Sequence, residues 1–333
     1  MRKYGFNMQW MFQHSEKPPE KPNLDELDFI AKRDFNFIRV PLDYQCWTKD
    51  YNYLSPDERV LELIDTYYEA CRERGLHMCL NIHRAPGYCI NNNLPERHSL
   101  WVDQEAQDGF VFLWEYFAKK YKGIPSSELS FDLLNEPPPI GRGGFTRENH
   151  QMVMRRTIAA IRAIDPSREI TLNGINGGSD AIPELADTGT IHSGRGYDPF
   201  TISHYKAEWL PFEHDWEEPA YPCYLDGVLW DKEQLKKSYD PWRAVEKQGV
   251  EIFMGEIGSH NNTPNDVVLS WMTDLLDIYR EYKWGYALWH FRGSYGIVEH
   301  GKPGAKYEML DGFKVDRTLL ELLMNNRVYE STS

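Results

Sequence analysis

Eight short apolar runs, separated by longer segments with helical periodicity, are the feature of this 333-residue chain that most restricts its possible folds. The alternation is the pattern expected when each strand is followed by a helix that covers the sheet. Eight parallel strands are also the number that closes such a sheet into a barrel. The runs span residues 4–9, 37–42, 77–83, 129–135, 169–173, 200–204, 251–255 and 286–291. The sequence therefore predicts an α/β protein with the (β/α)8 fold, the TIM barrel.

The chain is predicted to form a single domain. No internal repeat, low-complexity tract or Ser/Gly linker divides it, so residues 1–333 are expected to form one catalytic barrel. Apolar residues recur at helical spacing in residues 57–74, 104–121, 147–164, 232–248 and 264–282. The longest irregular stretches are residues 85–103, 138–146, 175–199 and 206–231. They are predicted to be extended loops after strand ends, where barrel enzymes place their substrate-binding residues.

Composition restricts the partners. A net charge of -14 argues against a nucleic acid, because affinity for a phosphate backbone comes from clustered Lys and Arg. No stretch approaches the roughly 20 apolar residues that a membrane span requires. Aromatic residues reach 14%, and such rings stack on the apolar faces of sugars. We therefore expect a monomer that binds a carbohydrate substrate, with no nucleic acid and no membrane as partner.

Neither a metal nor a cofactor is expected. Five cysteines without CxxC spacing or a His cluster indicate mostly free thiols. A metal-dependent barrel hydrolase normally displays a His-x-His pair on an early strand, and residues 4–9 contain no such ligands. A phosphate-binding barrel favours Gly-rich loops near the final strands, but apart from Gly293 the acidic balance points elsewhere.

The N-terminus lacks the apolar region and the small-residue cleavage site of a secretory signal. The protein is expected to be cytoplasmic if this terminus is native, and secreted if a signal peptide was removed.

Two glutamates, Glu136 and Glu256, each close an apolar run. In a barrel the carboxyl ends of all strands meet on one face, so polar residues there share a site despite large sequence separation. Arg39, His83 and His204 are further polar groups at run ends, and burying them costs free energy unless they are paired. One paired cluster around two carboxylates accounts for all of them. Two carboxylates facing one cleft suffice to hydrolyse a glycosidic bond.

The ordered set of motifs resembles glycoside hydrolase family 5, the cellulase-type retaining β-glycosidases of the eightfold-barrel clan, over nearly the whole chain. Asn-Glu-Pro alone is a weak signal, but the set together is specific. The matching segments are Phe37-Ile38-Arg39-Val40-Pro41, Leu80-Asn81-Ile82-His83-Arg84-Ala85-Pro86-Gly87-Tyr88, Leu134-Asn135-Glu136-Pro137, Gly255-Glu256-Ile257-Gly258 and Ala287-Leu288-Trp289.

The resemblance implies that Glu136 is the general acid/base and Glu256 the nucleophile of a double displacement, with Arg39 as partner of Glu256. In that mechanism the carboxyl groups lie roughly 5 to 5.5 Å apart. Asn135 matches the family residue that binds the sugar 2-hydroxyl, although an asparagine there also suits a turn or a helix cap.

Four further site residues follow from the resemblance. His83 and His204 match histidines that line the bond-cleaving region, and Trp289 matches the aromatic floor under the sugar. Taken alone, His83 and Trp289 would be read as core residues. The family spaces a histidine and a tyrosine as His-x-Tyr, whereas His204 and Tyr205 are adjacent. Neighbours on a strand point in opposite directions, so either the backbone redirects Tyr205 toward Glu256 or another tyrosine supplies the hydroxyl.

The resemblance implies an endoglucanase-like enzyme acting on β-1,4-linked glucan. A mannanase, a xyloglucanase or an exo-acting β-glucosidase-type enzyme remains open, because barrels host many specificities through loop variation. A non-catalytic carbohydrate-binding barrel is the alternative from another class, and the presence of both glutamates argues against it. The candidate sugar platforms in loops are Trp10, Trp47, Tyr88, Trp101, Trp209 and Trp216, of which about half are expected to be ordinary packing.

Overall fold

The computed structural model describes residues 1–15, 19, 21–91, 95–210 and 216–329. Within these residues eight parallel strands close into a barrel, which confirms the predicted fold class. The strands are β1 (Tyr4–Asn7), β2 (Phe37–Asp43), β3 (His77–Ala85), β4 (Leu129–Asp132), β5 (Ile170–Asn173), β6 (Ile191–Gly196), β7 (Ile252–Ile257) and β8 (Gly285–Leu288).

Each barrel strand is hydrogen-bonded to a parallel neighbour on both sides. The ring closes where β1 pairs with β8, through the register Tyr4 to Tyr286, and with β2, through the register Gly5 to Phe37. A Cβ at Gly5 would lie 1.6 Å from the carbonyl oxygen of Phe37, so only glycine allows this close approach. Closure leaves no exposed strand edge and sends all the carboxyl ends to one face.

Helices cover the barrel from outside. The described α-helices of seven residues or more are α1 (Leu24–Ala31), α2 (Glu58–Glu73), α3 (Gln104–Lys120), α4 (Arg147–Ile164), α5 (Lys232–Ser238), α6 (Asp240–Glu246), α7 (Asn265–Tyr282) and α8 (Arg317–Asn325). Their apolar faces pack on the strands in one continuous core. The predicted helix over 232–248 is two helices that meet at Tyr239, and α8 was not predicted.

The sixth strand was predicted in the wrong place. Residues 200–204 were expected to be a strand, but Phe200–Ser203 forms a single helical turn. The sixth barrel strand is β6, which lies inside the predicted loop 175–199. It pairs with β5 through Thr171 to Ile191 and with β7 through Ile252 to His192. The sixth strand therefore ends at Gly196 and not at His204, so different side chains enter the site from this strand.

The loops at the carboxyl face carry small additional elements. Tyr88–Cys89 pairs with the end of β3, Cys223–Leu225 pairs with Val228–Trp230, and Tyr307–Leu310 pairs with Phe313–Asp316. The predicted loops 85–103 and 206–231 contain residues 92–94 and 211–215, which lie outside the described residues. Among the described helices, none is long and apolar enough to cross a membrane.

Candidate active site

Glu136 and Glu256 lie on the same face of the barrel. Glu136 follows β4 after three buried residues, and Glu256 lies within β7, where the pairing with β6 shifts register between Met254 and Glu256. Glu256 is 3% exposed, and the side chain of Glu136 is 15% exposed. Glu136 is therefore the more accessible of two nearly buried carboxylates.

The backbone of Glu136 is held in an unusual conformation. Its φ is 45°, a left-handed value that costs free energy for a residue with a side chain. Two hydrogen bonds fix it: the Tyr88 hydroxyl donates to the Glu136 carbonyl at 2.5 Å, and the Glu136 amide donates to Asn173 Oδ1 at 3.3 Å. Such strain at a polar site orients the carboxyl group toward the cleft.

One guanidinium group joins the two carboxylates. Arg195, near the end of β6, donates from Nε to Glu136 Oε1 at 2.8 Å and from Nη2 to Glu256 Oε1 at 3.2 Å. The same Nη2 atom donates to Asn135 Oδ1 at 2.8 Å and to Asn173 Oδ1 at 2.5 Å. A single planar group reaches both carboxylates only if they face each other across a short gap.

Glu256 is bound by donors on both oxygens. Arg39 Nη1 donates to its Oε1 atom at 2.6 Å, and the Tyr197 hydroxyl donates to its Oε2 atom at 3.0 Å. Together with the Arg195 contact, these bonds stabilise its carboxylate form and fix its direction. The predicted pairing of Arg39 with Glu256 is present in the structure.

Arg39 is itself fixed by a buried polar network. It is 1% exposed and donates to Asp132 Oδ2 at 2.7 Å, to Asn7 Oδ1 at 2.9 Å and to Asn135 Oδ1 at 2.8 Å. Asn173 Nδ2 donates to the other oxygen of Asp132 at 2.7 Å. Because each charged group has partners, the network avoids the cost of an unpaired buried charge.

The surroundings give Glu136 a high proton affinity. Burial raises the pKa of Glu136 to about 7, the negative charge of Glu256 adds to this rise, and Arg195 opposes it. A carboxyl group with a pKa near neutrality can hold a proton for a leaving group and later remove one from water.

His83 and Trp289 stack on each other beside Asn135, whose Nδ2 atom lies 3.5 Å from His83 Nε2. Their rings stack with centroids 5.5 Å apart and planes inclined by 16°, and Phe12 packs edge-on against His83 at 4.5 Å. Burial lowers the pKa of His83 well below its usual value, with the charges of Arg39 and Arg195 adding to the effect. His83 is therefore a neutral imidazole, and among the described residues its buried Nδ1 atom has no hydrogen-bond partner.

The tyrosine that contacts Glu256 is not the predicted one. Tyr197, and not Tyr205, donates to Glu256. Tyr205 packs edge-on against Trp216 at 5.8 Å, and His204 stacks on Phe200 at 3.9 Å. The physical reason is the displaced sixth strand, because a strand ending at Gly196 directs Tyr197 into the cleft. His204 contacts the site only through Tyr197, whose ring lies 4.9 Å from its own.

Arg195, Tyr197, Asn173 and Asp132 were not predicted as site residues. A signal for the first two is present in the sequence, since Arg195-Gly196-Tyr197 has the spacing of His-x-Tyr with arginine in place of histidine. Asn173 ends its apolar run as Asn135 does, which is a weaker signal. Among the described residues, no group of three or more His, Cys, Asp and Glu side chains could hold a metal ion.

The candidate sugar platforms differ in how far they are buried. Trp47 and Trp101 are 2% and 3% exposed and pack in the core, although Trp101 also lines a cavity beside Tyr88. Tyr88 is buried as well, whereas Trp10 and Trp216 are half-buried and Trp209 is 51% exposed.

Trp209 lies near Tyr295, a residue that was not predicted from the sequence. Its ring lies 6.0 Å from that of Tyr295, which is 2% exposed and also neighbours Tyr197 at 6.1 Å. Among the described residues, the Tyr295 hydroxyl has no hydrogen-bond partner. A buried hydroxyl without a partner beside two carboxylates is suited to bind a sugar hydroxyl.

A closed parallel barrel with two facing carboxylates, a neutral histidine and an aromatic wall at the carboxyl ends of its strands defines the class of barrel glycoside hydrolases. A family model described as cellulase (glycosyl hydrolase family 5) matches residues 2–294. The chain belongs to glycosyl hydrolase family 5, and it is a glycoside hydrolase.

Similar proteins carry names from the same class. Endoglucanase C of Acetivibrio thermocellus is 28% identical over 294 residues, which cover 80% of this chain and 83% of that protein. A crystal structure described as that of a glycoside hydrolase is 54% identical, with a TM-score of 0.96, and the match covers 98% of this chain and 100% of that one. The Cel5A protein of Thermotoga maritima in complex with mannotriose has a TM-score of 0.77 at 20% identity, over 96% and 97% of the two chains, and supports the fold.

Proposed function

We propose that this enzyme is a retaining, endo-acting β-1,4-glucanase in which Glu136 is the general acid/base and Glu256 is the nucleophile. The observation that carries the assignment of roles is the different environment of the two carboxylates. Glu256 accepts from Arg39, Arg195 and Tyr197, as a nucleophile that must stay charged requires. The substrate follows the names of the relatives, which include endoglucanases and a cellodextrinase.

The first displacement forms a covalent glycosyl-enzyme. A Glu256 carboxylate oxygen bonds to the anomeric carbon while the bond from that carbon to the leaving oxygen breaks. The bonding pair goes to the leaving oxygen, which takes the proton of Glu136. Asn135, fixed by Arg39 and Arg195, is positioned to bind the 2-hydroxyl of the reacting sugar.

The second displacement hydrolyses the ester. Glu136, now ionised, takes a proton from a water molecule whose oxygen bonds to the anomeric carbon. The ester bond breaks and its electron pair returns to Glu256. Two inversions leave the anomeric configuration unchanged.

Two cavities support cleavage within a chain. One, of about 410 Å³, is lined by Tyr88, Trp101 and Pro138 on the Glu136 side, where the protonated leaving group must lie. The other, of about 460 Å³, is lined by Trp10 and His290 at the ends of β1 and β8. These two spaces support a substrate that extends from the reacting bond in both directions.

A glycan panel with product analysis tests this function. We expect soluble β-1,4-glucans to lose viscosity early while few reducing ends appear, and the first products to be oligosaccharides with retained β configuration. Mannan, xyloglucan and short oligosaccharides complete the panel. Preferred cleavage of mannan would show that β-1,4-glucan is not the main substrate. Release of single sugars from chain ends would contradict endo action, and a product of inverted configuration would contradict the double displacement.

The sequence also predicts a monomer whose one barrel carries the whole activity. Light scattering coupled to size exclusion tests the first part. A single species at the mass of one chain, with the activity in the same fraction, is the expected result.

A further inference from the structure

The buried cluster around the two glutamates contains more acidic than basic groups. Its guanidinium groups are those of Arg39 and Arg195, and its carboxyl groups are those of Glu136, Glu256 and Asp132. With all three carboxyl groups ionised, the cluster would hold one uncompensated negative charge in a nearly dry interior. Such a charge is costly, and binding one proton removes it.

We infer that Arg195 is a positioning residue which supplies the second positive charge of this cluster and thereby determines when Glu136 holds its proton. The inference deepens the proposed function and rests on its assignment of Glu136 and Glu256. At the end of β6 the expected His-x-Tyr spacing is occupied by Arg195-Gly196-Tyr197, so a permanent cation stands where a neutral ring was expected.

Hydrogen bonding decides which carboxyl group takes the proton. Both oxygens of Asp132 accept from groups that can only donate, Arg39 Nε and Asn173 Nδ2. Although burial raises the pKa of Asp132, the Arg39 pair opposes the rise, and these contacts favour its carboxylate. Glu256 likewise accepts on both oxygens.

Glu136 differs from both other carboxyl groups. It accepts from Arg195 on Oε1, and among the described residues no protein group bonds to its Oε2. Its Oε2 atom can therefore carry the proton and present it to the substrate.

The protonation state of Glu136 that balances the charges of the cluster changes during the reaction. In the free enzyme, two guanidinium groups balance Glu256 and Asp132, and Glu136 is neutral. Once Glu256 has become a neutral ester, the two guanidinium groups balance Asp132 and an ionised Glu136. The cluster is therefore neutral in both states if Glu136 is an acid in the first and a base in the second. Without Arg195, the balance in the glycosyl-enzyme would favour a protonated Glu136, which cannot accept a proton from water.

The other titratable groups facing Glu136 do not alter this count. Burial raises the pKa of each tyrosine above its usual value and lowers that of the histidine, so all are neutral near pH 7. They are Tyr88 and His83 from β3 and its loop, Tyr197 after β6, and Tyr295 from the loop after β8.

The test compares Arg195→Gln with Arg195→Lys. The pH dependence of kcat/KM is measured on a β-glycoside with a poor leaving group, for which the first step needs the proton of Glu136. We expect the alkaline limb in Arg195→Gln to move up by about 1 to 3 pH units, because the cation that opposes protonation is gone. Arg195→Lys keeps the charge and should keep the limb close to that of the wild type. An unchanged limb in Arg195→Gln overturns the inference.

A second readout follows the glycosyl-enzyme. Below pH 7, Arg195→Gln should release the aryl group of an activated aryl glycoside in a burst followed by a slow steady state, because Glu136 stays protonated. Azide, an anionic nucleophile that needs no base, should restore turnover. A variant with a slow steady state but no burst would contradict the proposed role in the second step.

A matched control separates electrostatics from packing. Arg168, whose side chain is 0% exposed, pairs with Asp165 and donates to the carbonyl of Leu129 at the opposite end of β4. Arg168→Lys is expected to lower the thermal midpoint while leaving both pH limbs in place. A shift of the alkaline limb in this control as well would assign the effect to general loosening and overturn the inference.

A direct titration does not depend on turnover. In ¹³C-glutamate-labelled protein, the carboxyl resonance of Glu136 is identified by its loss in Glu136→Gln. We expect its midpoint to fall when a fluorosugar traps Glu256 in the wild type. In Arg195→Lys the fall should persist, and if Arg195→Gln does not fold, Arg195→Met serves as the uncharged variant. No fall in the wild type overturns the inference even if the glycan panel succeeds, whereas a fluorosugar adduct on another residue overturns the proposed roles.

Discussion

Glu136 and Glu256 have the same side chain, and in the proposed mechanism their neighbours give them different roles. Glu256 receives hydrogen bonds on both oxygens from two arginines and a tyrosine. Glu136 receives one arginine contact, keeps some exposure and has its pKa raised to about 7, chiefly by burial. Environment, rather than residue type, separates a proton carrier from a nucleophile.

Removing either glutamate should have a different kinetic signature. Glu256→Ala is expected to abolish turnover of every glycoside, because no covalent intermediate can form. Glu136→Ala should slow a natural glucan by about 10²- to 10⁴-fold, and activated aryl glycosides much less in the first step, since these need no proton donor. Steady-state kinetics on both substrate types, with circular dichroism as the check on folding, measures this. Full activity of either variant on glucan would contradict the assignment.

Tyr197 and Tyr205 form a matched pair for testing the corrected assignment. Tyr197→Phe removes the hydroxyl that donates to Glu256 Oε2 at 3.0 Å. A hydrogen bond to a charged group contributes about 1.5–3 kcal/mol, so kcat/KM is expected to fall by roughly 10- to 100-fold. Tyr205→Phe, eight residues further along a different backbone segment, should leave kcat/KM nearly unchanged. Equal losses of kcat/KM in both variants would contradict the assignment of Tyr197 in place of Tyr205.

The pH profile of the wild type is predicted from the pKa of Glu136. Because the pKa of Glu136 is raised to about 7, chiefly by burial, the proton needed in the first step is present below that value. Activity on glucan should therefore decline as pH rises through about 7, and the residual activity of Glu136→Ala on the same glucan should lose this alkaline limb. A limb that persists in the variant would assign it to another group.

At the scale of elements, β6 explains where sequence reasoning succeeded and where it failed. Its six residues, Ile-His-Ser-Gly-Arg-Gly, contain one large apolar side chain, whereas residues 200–204 are more apolar. A hydrophobic pattern therefore favours the wrong segment. The strand is nevertheless fully buried, because backbone hydrogen bonds to β5 and β7 determine its conformation. Tertiary pairing overrides local propensity here.

The other site residues were predictable because they end strongly apolar runs. His83, Asn135 and Glu256 lie at or near the ends of β3, β4 and β7, and Arg39 lies inside the apolar strand β2; barrel topology then implies their convergence. Asp132 and Asn173 could not be predicted in the same way. Their roles depend on contacts across the barrel, such as that of Asp132 with Arg39, which no spacing in one sequence reveals.

Gly196 links the position of β6 to the site. A Cβ there would lie 2.4 Å from the Tyr279 hydroxyl, which is buried and hydrogen-bonded to Tyr239. Gly196→Ala should therefore displace the strand end that carries Arg195 and Tyr197. Overpacking of this kind costs about 1–3 kcal/mol, and we expect a lower thermal midpoint together with reduced kcat.

The control for this variant is Gly312→Ala, between the strands of a surface hairpin. A Cβ at Gly312 would meet no atom within 4 Å, although its φ of +86° makes the substitution costly for the backbone. It should lower the thermal midpoint without affecting kcat/KM. If Gly196→Ala lowers stability but keeps full activity, β6 does not position the site in the way proposed.

For the whole molecule, closure of the barrel is what brings distant residues together. Residues 120 positions apart, such as Glu136 and Glu256, share one guanidinium because their strands end on the same face. The loops then add two cavities, one lined by Tyr88 and Pro138 and one lined by Trp10 and His290. The scaffold thus accounts for the reaction, and the loops account for how far a chain extends on either side of it.

The net charge of the whole molecule predicts a difference between neutral and acidic substrates. At -14, the protein repels an anionic polymer such as carboxymethylated glucan but exerts no comparable force on a neutral one. Repulsion extends about 30 Å at 0.01 M salt and about 10 Å at 0.1 M. Raising the salt concentration between these values should therefore lower KM for the carboxymethylated polymer several-fold while KM for a neutral β-glucan stays constant. Parallel assays with sodium chloride at fixed pH measure this. A salt response that is the same for both polymers would show that the long-range charge of the protein does not influence substrate encounter.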